Sequence, residues 1–294
     1  MLAGCLESLC NQNISRDQYE IIVVDNNSKD NTSQIVSDFI HFGNLIYVLE
    51  TSPGLSYARN RGLKEAKGEY IAYIDDDARA DKKWLGTALQ VLEHRDIDCL
   101  GGPYHPFYSI SKPSWFMDRY EIRSLGDMPK FLRKGEYISG SNMIWRKSSL
   151  MSIGGFDVGA GVVGNQLRLG EETGAIDKLW ITANNPKLFF SPELIIYHWV
   201  PEFKMSVTYR LKRRFAEGQY QSSSTEPIFL ATRIKNALVT GFTLIKVFIR
   251  FFLKYKDHSH WQNWVVEDGG YVARVFGKML GYLGFYPHIE HRNE

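Results

Sequence analysis

Hydrophobic and polar positions follow two periods along this chain. Residues 2–12 place Leu2, Leu6 and Leu9 on one face of a short helix. "YEIIVVDNNS" (19–28) is a β-branched run closed by turn residues and predicts a buried strand. In "SKDNTSQIVSDFIHFG", Thr32 can cap a helix, Ile35, Val36, Phe39 and Ile40 fall at helical spacing, and Gly43 ends it. "NLIYVLE" is a second strand. "GLSYARNRGLKEAKG" (54–68) is a helix ending at Gly68, and residues 69–75 are a third strand. Asp81 can cap a helix that puts Trp84, Leu85, Ala88, Leu89 and Leu92 on one face, and "DIDCLGG" is a further strand. Strands alternating with helices through residue 101 predict a parallel α/β sheet, whose ligands bind beyond the carboxyl ends of the strands.

The pattern weakens from 103 to 136, a Pro- and aromatic-rich stretch that predicts irregular structure. "YISGSNMIWRKSSLMSIGGFD" predicts a strand, a short helix and a glycine turn. A glycine-rich loop then runs into a helix starting near Gly170. "KLFFSPELIIYHWV" predicts paired short strands. "SVTYRLKRRFAEG" is an amphipathic helix, with Val207, Leu211 and Phe215 opposite Arg210, Arg213 and Arg214. Residues 228–256 are apolar but interrupted by Arg233, Lys235, Lys246 and Arg250. The uncharged run from Ala237 to Ile245 is too short to span a bilayer, which takes about 20 apolar residues. Two readings stay open: a basic amphipathic helix on a membrane surface, or a helix packed on the protein's own core.

The 294 residues are 44% hydrophobic and 23% charged, which marks a folded protein and not a disordered one. Lys plus Arg number 35 against 33 Asp plus Glu, a net charge of +2, so no nucleic-acid partner is indicated. Cys5, Cys10 and Cys99 form no CxxC pair and no disulfide framework, as expected in a reducing cytoplasm. The first residues lack the basic and long apolar regions of a secretory signal.

The candidate chemistry centres on "EYIAYIDDDARAD" (69–81), where an apolar strand runs into Asp75, Asp76 and Asp77. Adjacent carboxylates repel, and a divalent cation removes that penalty. Mg²⁺ and Mn²⁺ prefer such oxygens and leave room for substrate phosphates. Strand alternation would turn Asp75 and Asp77 to one side and Asp76 to the other. Taken alone, the triplet reads more readily as a solvated acidic turn capping the next helix.

"EIIVVDNNSKDNT", "GLSYARNRGLKEAKGEYIAYIDDDARAD", "ISGSN", "GGFD", "GEET" and "YHW", in that order over residues 2–220, resemble the inverting nucleotide-sugar glycosyltransferases of family two. The resemblance implies the Rossmann-like glycosyltransferase A fold: α/β, a mostly parallel central sheet flanked by helices, here with a C-terminal helical extension. It divides the chain into a nucleotide-sugar half (1–102), an acceptor and catalytic half (103–225) and the extension (226–294). It implies that Asp25 and Asn27 meet the nucleotide, that Arg59, Asp75 and Asp76 lie near the donor, and that Asp77 and His198 hold Mn²⁺ or Mg²⁺. Glu172, with Glu171 beside it, takes the place of the catalytic base, a glutamate where the family has an aspartate. Ser141, Asn142 and Asp157 would face the acceptor, and Arg213 and Arg214 the diphosphate.

The implied donor is a UDP- or GDP-type sugar, and the acceptor a saccharide or lipid-linked hydroxyl. The expected place is the cytoplasm, with peripheral contact at the inner face of the cell membrane. The family begins with a strand of the type "VSVIIPTYN", whereas this sequence opens at the following helix. A chain without that strand is expected to bind donor weakly. Two alternatives follow: an impaired sugar-nucleotide-binding or membrane-associated remnant, and a nucleotidyltransferase. The second lacks its glycine-rich basic phosphate loop.

Overall fold

The computed structural model describes residues 1–159, 170–222 and 229–287. They form two compact units. The first comprises residues 1–107, 118–159 and 170–199, and the second 108–117, 200–222 and 229–287.

In the first unit α1 (Leu2–Cys10) is followed by β1 (Ile21–Asp25), α2 (Thr32–Ser37) and β2 (Leu45–Leu49). β1 and β2 pair in parallel, from Ile21 opposite Leu45 to Asp25 opposite Leu49. Next come α3 (Leu55–Glu65), β3 (Tyr70–Tyr73), β4 (Ala78–Ala80), α4 (Trp84–Glu93), β5 (Cys99–Gly101), β6 (Tyr104–Phe107) and β7 (Lys130–Phe131). β8 (Met143–Arg146), α5 (Lys147–Ser152), α6 (Glu171–Thr182), β9 (Leu188–Phe190) and β10 (Ile196–Trp199) complete the unit. The larger sheet has the order β3-β8-β5-β9-β7, and a smaller one the order β4-β10-β6. β3, β5 and β9 run one way and β8 and β7 the other.

Side-chain alternation on the larger sheet builds two apolar layers. Met143, Trp145, Cys99 and Leu188 join Leu63 of α3, Leu150 of α5 and Ile176 of α6. Ile144, Leu100 and Phe189 join Leu6 of α1 and Trp84 and Ala88 of α4. Fully burying one such Leu or Ile stabilises by roughly 1.5–3 kcal/mol, so helices on both faces fix the sheet.

Two expectations are corrected. Residues 103–136 include β6 and β7. β9 and β10 do not pair with each other: β9 lies beside β5 and β10 beside β6, both in parallel register. Residues 99–107 and 188–199 thus run side by side and change sheet together. The turn between β9 and β10 is closed by Leu194 N donating to Ser191 O at 3.2 Å.

The second unit is helical: α7 (Val207–Ser222), α8 (Leu230–Leu253), α9 (Trp261–Trp264) and α10 (Gly270–Tyr282). α7 and α10 cross at backbone contact. A Cβ on Gly277 would sit 2.3 Å from Phe215 O, so only glycine fits there. Asn263 Nδ2 donates to Trp115 O at 2.6 Å and ties the 108–117 segment into this unit.

Candidate active site

β3 stops at Tyr73, and the three aspartates fill the turn into β4, closed by Ala78 N donating to Asp75 O at 3.0 Å. β4 pairs antiparallel with β10, which sets Ala78 opposite His198, and Trp199 N donates to Asp77 O at 2.9 Å. Strand pairing therefore carries a distant histidine onto the acidic turn. His198 Nε2 lies 3.3 Å from Asp77 Oδ1 and 3.8 Å from Asp75 Oδ2. One ligand atom from each of Asp75, Asp77 and His198 lies within 4.8 Å of the others. Asp75 and Asp77 do converge while Asp76 is exposed, but a turn achieves this in place of strand alternation.

The first helix supports that turn. Cys5 Sγ donates to Asp75 O at 3.6 Å, Ser8 Oγ accepts from Ala80 N at 3.0 Å, and Gln12 Nε2 donates to Asp81 O at 2.9 Å. Cys5 and Ser8 share one face of α1, and Gln12 follows just past its end. Burial and the charges of the three aspartates push the Cys5 thiol up to about 12, so it stays neutral.

Arg59, on the buried face of α3, links the turn to α6. Its Nη1 lies 3.0 Å from Glu171 Oε1, its Nη2 3.4 Å from Asp75 Oδ1, and Nη2 also donates to Gly140 O at 3.2 Å. A Cβ on Gly140 would come within 2.9 Å of that guanidinium, so glycine makes the approach possible. Burial opposes ionisation of Asp75, but hydrogen bonding to His198, the charge of Arg59 and the Ser141 hydroxyl outweigh it and hold the carboxyl well below the usual range. Glu172 behaves oppositely: burial, then the charge of Glu171, push it up to about 7, with Arg59 limiting the rise. One site thus contains a firmly ionised carboxylate and one that exchanges its proton near neutrality, the arrangement suited to acid–base chemistry.

The donor set fits a divalent cation. His198 Nδ1 lies 3.0 Å from Trp199 O, and a carbonyl only accepts, so Nδ1 donates there. Nε2 meets Asp75 through a proton here; without that proton the ring would offer a Mn²⁺- or Mg²⁺-type ion its lone pair beside the two carboxylates.

Comparison with known proteins follows the same outline. The model of "Glycosyl transferase family 2" matches residues 1–154, more than half of the chain. The chain belongs to this family. A relative from Haloferax volcanii, the "Glucosyl-dolichyl phosphate glucuronosyltransferase", is 23% identical over 274 residues, covering 90% of this chain and 86% of that protein. The matches to several other curated relatives are partial and cover 15% to 50% of their length. The structure of S. aureus TarS 1-349 in complex with UDP-GlcNAc superposes with a TM-score of 0.56 at 15% identity, covering 96% of this chain and 87% of that one. "Mannosyltransferase PcManGT from Pyrobaculum calidifontis in complex with GDP-Man and Mn2+" gives 0.56 at 17% identity, covering 95% and 79%. These likenesses establish the glycosyltransferase A fold.

The remaining predicted positions of this family 2 member divide clearly. Ser141 meets the acidic turn, its Oγ donating to Asp75 Oδ2 at 2.5 Å. Asn142 is fully buried and structural, a correction to its acceptor-facing expectation. Its Oδ1 accepts from Trp84 Nε1 at 2.9 Å, and its Nδ2 donates to Pro103 O and Leu194 O. Asp25 ends β1 with Ser28 N donating to one oxygen at 2.8 Å and Tyr47 Oη to the other at 2.6 Å. Burial resists ionisation of Asp25, but those two bonds prevail and its carboxyl is held low. Asn27 is exposed, with a φ of 60° and its Oδ1 accepting from Lys29 Nζ. Asp157 is exposed in the turn after Gly154 and Gly155, which have φ of 79° and 75°, and accepts from Gly159 N. Arg213 and Arg214 belong to the second unit, 3.5 and 2.9 Å from Glu217. Most of the glycine-rich loop before Gly170 lies outside the described residues.

Three contributors escaped the sequence reading. Gly140 accepts from Arg59. Asn26 Nδ2 donates to Glu50 O and Ser52 O while its Oδ1 accepts from Gly54 N, fixing the loop ahead of α3. Asn60 exchanges two hydrogen bonds of 2.8 Å with the Phe156 backbone, locking α3 to the "GGFD" turn. Asn26, Asn60 and Gly140 all lie within the quoted motifs, which was the available signal.

Proposed function

We propose that this family 2 protein is a metal-dependent, inverting glycosyltransferase that moves a sugar from a nucleoside diphosphate sugar to an acceptor hydroxyl. The observation that carries the reading is the Arg59 bridge, which joins the Asp75–Asp77–His198 cluster to the Glu171–Glu172 pair. Asp75, Asp77 and His198 would hold Mn²⁺ or Mg²⁺, which when bound supplies Lewis-acid stabilisation of the departing diphosphate. Glu172, titrating near neutrality, accepts the proton of the attacking hydroxyl. Arg59 keeps Glu171 paired, so that Glu172 is the carboxylate left to take up the proton. Asp25 and Asn27 contact the nucleotide, Asp76 and Ser141 lie near the donor, and Asp157 faces the acceptor.

UDP- or GDP-type donors are supported by the ligands named for TarS and PcManGT. A lipid-linked acceptor is supported by the dolichyl phosphate in the name of the Haloferax relative, and a polysaccharide acceptor by the "Succinoglycan biosynthesis protein ExoM" of Rhizobium meliloti; work at the inner face of the cell membrane is part of the same reading. The test is nucleoside diphosphate release from a panel of UDP- and GDP-sugars with Mn²⁺. The wild-type chain should turn over at least one donor, and Asp77→Asn and Glu172→Gln should each lose the activity. Release of pyrophosphate, or equal rates in all three proteins, would overturn the proposal.

A further inference from the structure

The helix α8 leaves a long apolar face uncovered. Ile234, Leu238, Phe242, Ile245, Ile249 and Phe252 recur every three or four residues and are 48% to 69% exposed. That spacing is one continuous stripe of a 24-residue helix, about 36 Å long. The opposite face, through Ala237, Thr240 and Val247, is buried. It packs on α10, with Arg233 Nε donating to Tyr282 O at 3.0 Å, while Phe251 stacks on Trp264 at 4.0 Å. Along one flank of the stripe run exposed Lys235, Lys246 and Arg250, and α8 contains no acidic residue.

We propose that α8 is a monotopic anchor that lies flat in the headgroup region of an anionic bilayer. The inference deepens the membrane contact of the proposed function and requires nothing of the transfer chemistry. The charge pattern selects the occupant: a second copy would bring two basic flanks together, whereas anionic headgroups complement them. α8 meets the length and apolarity of a spanning helix, but its packing opposes that role. α10 carries Arg274 and Lys278, and α7 against it carries Arg210, Lys212, Arg213 and Arg214. A spanning α8 would pull those charges into hydrocarbon.

The test is flotation of the whole chain with vesicles of phosphatidylcholine alone or mixed with phosphatidylglycerol. Binding should be on the order of 100-fold tighter to the mixed vesicles, since each basic residue near such a surface contributes about 1 kcal/mol. Lys235→Glu/Lys246→Glu/Arg250→Glu should remove that preference. Phe242→Asp/Ile245→Asp should remove binding altogether, with an unchanged thermal melt by circular dichroism. Spin labels at Ile234→Cys, Phe242→Cys and Ile249→Cys can be read separately because the native cysteines are buried. They should report one common depth. No binding by the wild-type chain, equal binding to both vesicles, a solution dimer that buries the stripe, or a depth that peaks at Phe242→Cys would each overturn the anchor. Nucleoside diphosphate release is read separately, so failure here leaves the transferase proposal standing, and the reverse also holds.

Discussion

Replacing Glu172 with glutamine separates the electrostatic strain at the site from its chemistry. The side chain is held at about 7 against an ordinary 4.5, by burial and by Glu171. The neutral carboxyl is therefore favoured in the folded protein. Stability from this group is fully present below pH 4.5 and is lost as the pH rises through 7. Well above pH 7 the ionised side chain costs the folded state about 3 kcal/mol, and a neutral amide escapes that cost. For a unit of this size, Glu172→Gln should melt about 6–12 °C higher at pH 8.5, with little change at pH 5. Scanning calorimetry at both pH values, without metal or donor, measures this. The same variant should lose sugar transfer, because the amide cannot accept a proton. A melting difference that does not vary with pH would show that Glu172 ionises normally and would remove the physical reason for choosing it as base.

Arg59→Met should destabilise the protein by about 3–5 kcal/mol, because it leaves Glu171 and Asp75 without their shared cation. It should also move the acid limb of the transfer rate upward from about pH 7, since Arg59 restrains the Glu172 shift; urea titration and a pH–rate profile check both. Asn142→Ala should destabilise by several kcal/mol, on the order of 3, by orphaning the Trp84 indole and two carbonyls. Its KM for the acceptor should stay at the wild-type value, and a raised acceptor KM with normal stability would return Asn142 to the acceptor wall. Chelation should abolish transfer, with Mn²⁺ restoring it in the wild-type chain and not in Asp77→Asn.

The parts of the fold that obey one local period were readable in the sequence. β1, β2 and β3 are short apolar runs between turn residues, and α3 and α4 follow the helical period within a few residues. β4 was not readable: "ARA" is three residues long and becomes a strand only because β10 pairs with it. That missed pairing is also why His198 could be connected to the acidic turn only through the family resemblance. Arg59 could be placed near the donor only through the family resemblance, since its partners at Asp75, Gly140 and Glu171 come from three other segments. Asn142 looked available for a ligand because its own neighbourhood is a glycine turn. Its amide is held by Pro103 O and Leu194 O, carbonyls of two segments that run side by side far away in sequence, which no local pattern encodes.

The central claim is that Asp75 and Asp77 of the acidic turn and His198 of a distant strand together hold a divalent ion. Electron paramagnetic resonance of Mn²⁺ in the presence of UDP or GDP tests it most directly. The wild-type chain and Glu172→Gln should take up the ion with similar affinity, while Asp77→Asn and His198→Ala should bind it at least about tenfold more weakly. Equal Mn²⁺ uptake by all four proteins would place the ion elsewhere and contradict the account.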